Sequence, residues 1–117
     1  MGCGFVKVAI IGSRKAPESV YELLAQYVPL NASEIVSGGA VGIDRLAERY
    51  ARENGLALKT FLPNYHKYAK SAPLERNRQI VAYSDLVLAV WDGKSPGTKF
   101  VINYCLEQGR AVKVILY

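Results

Sequence analysis

Two cysteines and one histidine are too few to build the common cross-links and metal sites. Cys3 and Cys105 do not make a disulfide framework, and with no Cys-x-x-Cys pair, His66 leaves a zinc cluster almost without ligands. No metal or other cofactor is expected. Long apolar runs are missing as well: Leu86 to Trp91 is the longest, against the roughly 18 residues of a membrane span. No segment is of low complexity and no repeat is visible, which excludes a disordered tail, a collagen-like chain and a solenoid. The start, Met1 to Val6, lacks the charged and apolar regions of a signal peptide, and Val6 stands where a myristoylation signal needs Ser or Thr. A cytoplasmic protein with no membrane partner is the expectation.

What is present is an ordinary globular composition: 117 residues, 50% hydrophobic and 21% charged, enough for one core and one domain over residues 1–117. Fifteen basic against ten acidic residues give a charge of +5, a weak pull towards anionic partners.

Apolar runs alternate with helix-period segments along the whole chain. Val6 to Ile11 is a continuous β-branched run of the kind a buried parallel strand requires. Pro17 stands at a first helical position, Val20, Leu23, Leu24, Tyr27 and Val28 follow at helical spacing, and Pro29 ends the helix. Glu34 to Ser37 reads as a second strand and the Gly38 to Gly42 segment as its loop. Ile43, Leu46, Ala47, Tyr50 and Ala51 then share one helix face, ending at Gly55. Leu56 to Leu62 is the third strand. A loop rich in Tyr, Lys and Pro leads to a helix from about Pro73 with Asn77, Ile80 and Val81 inward. Leu86 to Trp91 is strand four, Phe100, Val101, Tyr104 and Cys105 place a helix capped by Gly109, and Ala111 to Leu116 is strand five. Right-handed crossovers turn this alternation into an α/β fold, a Rossmann-like three-layer sandwich with a five-stranded parallel sheet. The order 3-2-1-4-5 brings the loops after strands one and two together, with the loop after strand four closing the other side of the switch point.

Three familiar signatures nearly match, and each fails for a physical reason. Gly39-Ala40-Val41-Gly42 lacks the first glycine of a G-x-G-x-x-G fingerprint and follows strand two. Gly93-Lys94-Ser95 imitates the end of a P-loop, but Leu88, inside a strand, occupies the place of its first glycine. Gly93 to Gly97 spells G-x-S-x-G, yet Pro96 removes the backbone N–H that a hydrolase elbow aims at its oxyanion. The lone histidine also lies upstream of the serine, against the order of that triad.

Ile11-Gly12-Ser13-Arg14, with Ser37-Gly38-Gly39-Ala40-Val41-Gly42-Ile43-Asp44, resembles the Rossmann-like core of the SLOG superfamily, shared by DNA-processing protein A and the cytokinin-activating LOG enzymes. Trp91 to Thr98, and Arg76-Asn77 with Ile80, are similar to its small stand-alone YspA-like members. The resemblance implies a pocket for a nucleotide or nucleotide-derived ligand. It also implies two alternatives: a nucleotide N-glycosidase of the LOG type, or single-stranded nucleic-acid binding as in DNA-processing protein A. The LOG pattern Gly-Thr-x-x-Glu becomes Gly97-Thr98-Lys99-Phe100-Val101 here, so the catalytic carboxylate is replaced by an apolar side chain. The expectation is therefore a non-catalytic sensor or carrier.

The residues expected to bind ligand are Gly12, Ser13 and Arg14; Ser37, Gly38, Gly39, Ala40, Gly42 and Asp44; Arg78; and Asp92, Gly93, Ser95, Gly97 and Thr98. Arg45, Arg76, Arg78 and Lys99 fall in first helical turns, where a cation opposes the helix dipole unless an anion sits beside it. Two roles are open to Asp44: holding the start of its own helix, or contacting a ribose hydroxyl. Trp91 suits core or stacking platform, and Tyr65 and Tyr68 could stack on a base. Tyr27, Tyr50 and Tyr104 fall on inward faces. The helix carrying Phe100, Tyr104 and Leu106 is apolar nearly all round, which suits a homodimer.

Overall fold

The computed structural model describes residues 4–117; Cys3 and the first two residues lie outside it. Five strands, β1 (Val6–Gly12), β2 (Ala32–Ser37), β3 (Ala57–Thr60), β4 (Leu86–Trp91) and β5 (Ala111–Leu116), form one sheet in the order β3-β2-β1-β4-β5. Every pairing is parallel, with Val8 opposite Ile35 on one side of β1 and opposite Leu86 on the other. The helices are α1 (Val20–Ala25), α2 (Ile43–Glu53), α3 (Tyr65–Tyr68), α4 (Ala72–Tyr83) and α5 (Pro96–Gln108), with a 3-10 turn over Ala69–Ser71. None of them is long and apolar enough to cross a membrane.

The central strand shows why its sequence is apolar from Val8 to Ile11. Successive side chains of a strand point to opposite faces, and both faces of this sheet are covered. Val8 and Ile10 join Leu24, Ile35, Ile43 and Leu88 in a core beneath α1 and α2. Ala9 and Ile11 join Val36, Ile80, Val81, Ala89, Val101 and Cys105 beneath α4 and α5. Burial pushes the Cys105 thiol up to about 11, so this cysteine is a small packing residue with little nucleophilic character.

The edges depart from the pattern. The first helix does not start at Pro17: the N–H groups of Val20 and Tyr21 donate to the Pro17 and Glu18 carbonyls in preceding turns, and α1 is six residues long. Tyr27 follows its end and is exposed. Strand two begins at Ala32, two residues before Glu34, because Ala32 pairs with Val6 across a register shift in the β1 ladder. Strand three is shorter than Leu56 to Leu62, and all four of its residues are exposed because it is a sheet edge. The tyrosine-rich loop is folded, with Asn64 accepting the Lys67 N–H at 3.1 Å to cap α3.

Crossovers from β1 run towards β2, and the crossover from β3 returns past β1 to β4. The carboxyl ends of β1 and β4 therefore send their loops apart and leave a cleft between them. Because Ile10 is fully buried at the centre of this arrangement, Ile10→Ala is expected to lower unfolding stability by about 2–5 kcal/mol in urea denaturation, the range for such cavities.

Candidate functional site

Three loops meet at the carboxyl edge of the sheet. The first leaves β1 at Gly12, where a Cβ would strike the Val90 carbonyl and lie 2.6 Å from Ile43 Cγ1, so only glycine lets β1, β4 and α2 approach this closely. Ser13 is buried; its Oγ accepts the Lys15 N–H at 3.0 Å and its carbonyl accepts the Ile43 N–H at 3.1 Å. These bonds fix a tight turn whose exposed residues, Arg14 and Lys15, stand at the cleft.

The second loop closes on itself. Ser37 Oγ accepts the Gly39 N–H at 3.1 Å, and Asp44 Oδ2 accepts the Ala40 N–H at 3.1 Å. Gly42, at φ +74°, caps α2, and a side chain there would run into the Ser13 carbonyl. Burial pushes the Asp44 carboxyl above its ordinary value, while the Ala40 amide and the positive charge of Arg76 pull it back. The amides of Gly39 and Ala40, expected to cradle a ligand anion, thus already serve Ser37 and the chain's own carboxylate. Asp44 holds the loop that precedes its own helix.

Arg76, on α4, completes this loop from outside. It is only 7% exposed, and its Nη1 donates to the Gly38 carbonyl at 2.5 Å and the Phe61 carbonyl at 3.4 Å. Its Nε donates to Asn77 Oδ1 at 2.8 Å. Burial pulls its guanidinium below the usual range, Asp44 opposes this, and like-charged Arg14 adds to it. The cost of burying the cation is offset by strong bonds to carbonyls and a nearby carboxylate.

The third loop follows β4. Asp92 Oδ1 accepts the Lys94 and Ser95 N–H groups, both at 2.8 Å, and those bonds hold its carboxyl below the usual range. Trp91, half-buried, donates its Nε1–H to the Ser95 carbonyl at 3.0 Å and so braces this turn. Ser95 is the N-cap of α5 but makes no side-chain cap bond; its hydroxyl donates to Asp92 Oδ2 at 3.2 Å. Pro96 at the first turn has no N–H to satisfy. The next two amides, of Gly97 and Thr98, receive no cap from a side chain.

Between the loops lies a cleft of about 640 Å³, a size suited to a small ligand. Ten of the expected residues line it: Gly12, Ser13, Arg14, Gly38, Ala40, Asp44, Asp92, Ser95, Gly97 and Thr98. Gly39 borders an adjoining recess of about 270 Å³ instead. A Cβ on Gly39 would lie 2.6 Å from Leu62 Cδ2 and 3.0 Å from Thr60 Cγ2, so a side chain there meets the protein itself before any ligand. Ser37, Gly42 and Gly93 line neither cavity and act on loop geometry, Gly93 through its φ of +81°. Arg78 also lies outside both. It pairs with Glu75 and lies 5.3 Å from the Phe100 ring centre and 5.7 Å from that of Tyr104, because α4 turns it towards α5 and away from the cleft. Tyr65 and Tyr68 border neither cavity.

Arg76, one of the first-turn cations expected beside an anion, lines the cleft, as do Lys15, Lys94, Asn77, Ile80 and Val101, which were not among the expected ligand contacts. Arg76 had a legible signal: it stands four residues before Ile80, on the face already assigned inward. Among the described residues, no group of three or more His, Cys, Asp or Glu is placed to hold a metal ion.

The YspA, cpYpsA-related SLOG family (YAcAr) matches residues 6–68, from β1 through α3. The chain belongs to that family. Its fold is also that of DNA processing protein A from Streptococcus pneumoniae, with a TM-score of 0.76 at 24% identity over 94% of this chain. The chain spans 50% of that protein's length. No curated protein sequence matches significantly.

Asp44 supplies a test of the second loop. Its folded-state pKa is raised, so the native state holds the proton more tightly than the unfolded state, and its contribution to stability falls as pH rises through that interval. Asp44→Asn removes the titration. Wild type is therefore expected to gain stability relative to Asp44→Asn as pH is lowered from neutrality to about 4. Paired urea denaturations at the two pH values measure this, and a constant difference would refute it.

Proposed function

We propose that residues 1–117 form one domain that binds the phosphate of a nucleotide or nucleotide-derived ligand, as a non-catalytic sensor or carrier in the cytoplasm. The observation that carries this reading is the first turn of α5, where Gly97 and Thr98 line the cleft and their amides take no side-chain cap. A helix N-terminus of this kind favours an anion. Arg14, Lys15 and Lys94 rim the same cleft and supply the countercharge. Membership of a SLOG family supports a nucleotide-like ligand.

The absence of catalysis is read from Val101. It is 2% exposed, lines the cleft and puts no carboxylate where the LOG-type pattern has one. Asp44 and Asp92 accept hydrogen bonds within their own loops, which supports a structural role for both. Single-stranded nucleic acid is the second reading, supported by the fold shared with a DNA-processing protein.

Calorimetric titration with nucleoside mono- and diphosphates and ADP-ribose tests the site. Arg14→Ala is expected to weaken binding by about 2 kcal/mol, the worth of a charge-assisted bidentate contact, with an unchanged melting temperature. Lys113→Ala is the control: Lys113 is on β5, its ammonium 5.4 Å from the Tyr27 ring centre, and borders neither cavity. Unaltered binding by Arg14→Ala, or no binding at millimolar ligand, defeats the phosphate reading. Release of free base during incubation would favour the glycosidase. Tight oligonucleotide binding that falls steeply with salt would favour the nucleic-acid reading.

We also propose a homodimer through α5. Val101 and Cys105 face the core, Phe100 and Tyr104 stack with ring centres 6.0 Å apart, and Leu106 is 66% exposed. That leaves apolar surface on the outer side of the helix for a two-fold partner. Analytical ultracentrifugation at micromolar concentration is expected to show twice the monomer mass, and Leu106→Glu to return it to monomer.

A further inference from the structure

The recess beside the main cleft is not a separate cavity in the chemical sense. Arg14, Gly38, Ala40 and Arg76 border both spaces, so the two are lobes of one depression folded around the Gly38–Ala40 turn. The lobes differ in chemistry. The larger holds the uncapped start of α5 and the exposed cations. The smaller is bordered by Val41, Leu62 and Pro63, and Val41 and Leu62 are 49% and 67% exposed.

The exposed aliphatic side chains of Val41 and Leu62 stand beside the polar cleft, where a ligand held in it could cover them. Leu62 is moreover held in place. Gly39, at φ +74°, leaves no Cβ, and the Leu62 side chain occupies the space where one would stand, 2.6 Å from its ideal position. The Arg76 bond to the Phe61 carbonyl fixes the backbone immediately before it. Leu62, Val41 and Pro63 thus give the smaller lobe an apolar border beside the Gly38–Ala40 turn.

Resting on the phosphate reading of the main cleft, we propose that the smaller lobe takes the base of the nucleotide, which lies flat against Leu62, Val41 and Pro63 while the phosphate sits at α5. The ligand then spans the Gly38–Ala40 turn, with Arg14 and Arg76 at the junction of its two halves. Preference among nucleotides is set by Leu62 and Val41, and affinity for the phosphate by the α5 end.

Calorimetry with AMP, GMP, CMP and UMP, and with ribose 5-phosphate as the probe lacking a base, separates the two halves. Leu62→Ala is expected to weaken the best-bound nucleotide about tenfold and to leave ribose 5-phosphate within about twofold of wild type, the scale for lost contact in an apolar pocket. Leu62→Met, which keeps an apolar side chain of similar length, is expected to restore nucleotide binding. Since Leu62 is mostly exposed, matching thermal melts for all three proteins are expected. Nucleotides bound by wild type no more tightly than ribose 5-phosphate would overturn the proposal, as would a Leu62→Ala variant that loses both probes equally or neither. Either result leaves the phosphate reading standing. If wild type binds neither class of probe, both readings fall.

Discussion

Arg76 buries a full positive charge beneath the sheet's carboxyl edge, and the geometry of the cleft depends on what satisfies it. Its guanidinium reaches the Gly38 carbonyl at 2.5 Å and the Phe61 carbonyl at 3.4 Å, which ties α4 to the ends of β2 and β3 together. Asp44, buried on α2, supplies the nearby negative charge and turns its Oδ2 to the Ala40 amide. Removing either partner would leave the other charged and desolvated, a situation proteins avoid strongly. The pair therefore locks the glycine loop into one shape, and that shape forms both the wall of the main cleft and the divider between its lobes.

The loops that lead into the two helices at the cleft are closed differently. Ahead of α2, Ser37 and Asp44 take the amides of Gly39 and Ala40, and the Ile43 N–H goes to the Ser13 carbonyl. Ahead of α5, Asp92 and Ser95 spend their bonds on the turn before the helix, and neither helix has a side-chain cap. The glycine-rich segment before α2 looks in sequence like an open cradle, but its Gly39 and Ala40 amides are already bonded within the loop.

The same economy explains the distribution of cations. Arg78 and Arg76 are two residues apart on α4 and so face different directions. One lies near the rings of Phe100 and Tyr104 on the outer surface, and the other is buried beneath the cleft. Lys15 and Lys94 reach the cleft because the turns that carry them are pinned by Ser13 and Asp92. A net charge of +5 says little about this; the pinned turns decide which positive charges converge.

The parallel sheet and its strand order are legible in the chain because burial on both faces writes continuous runs such as Val8 to Ile11, and because short glycine loops follow strands one, two and four. The ten cleft residues lie on those loops and on the first turns of the helices that follow them. Helix ends and the edge strand were less legible: a proline at position 17 suits a turn as well as a first helical residue, and β3 is exposed. By itself the sequence determined which segments are buried, since hydrophobic spacing reflects a local period that each residue and its near neighbours carry. Only the tertiary structure decided that Arg76 is a brace, that the Gly39 and Ala40 amides are already taken, and that Leu62 rests over Gly39. Those outcomes depend on which acceptors, carboxylates and side chains arrive from elsewhere in the chain, the Gly38 carbonyl standing 38 residues from Arg76, and no local pattern records that meeting.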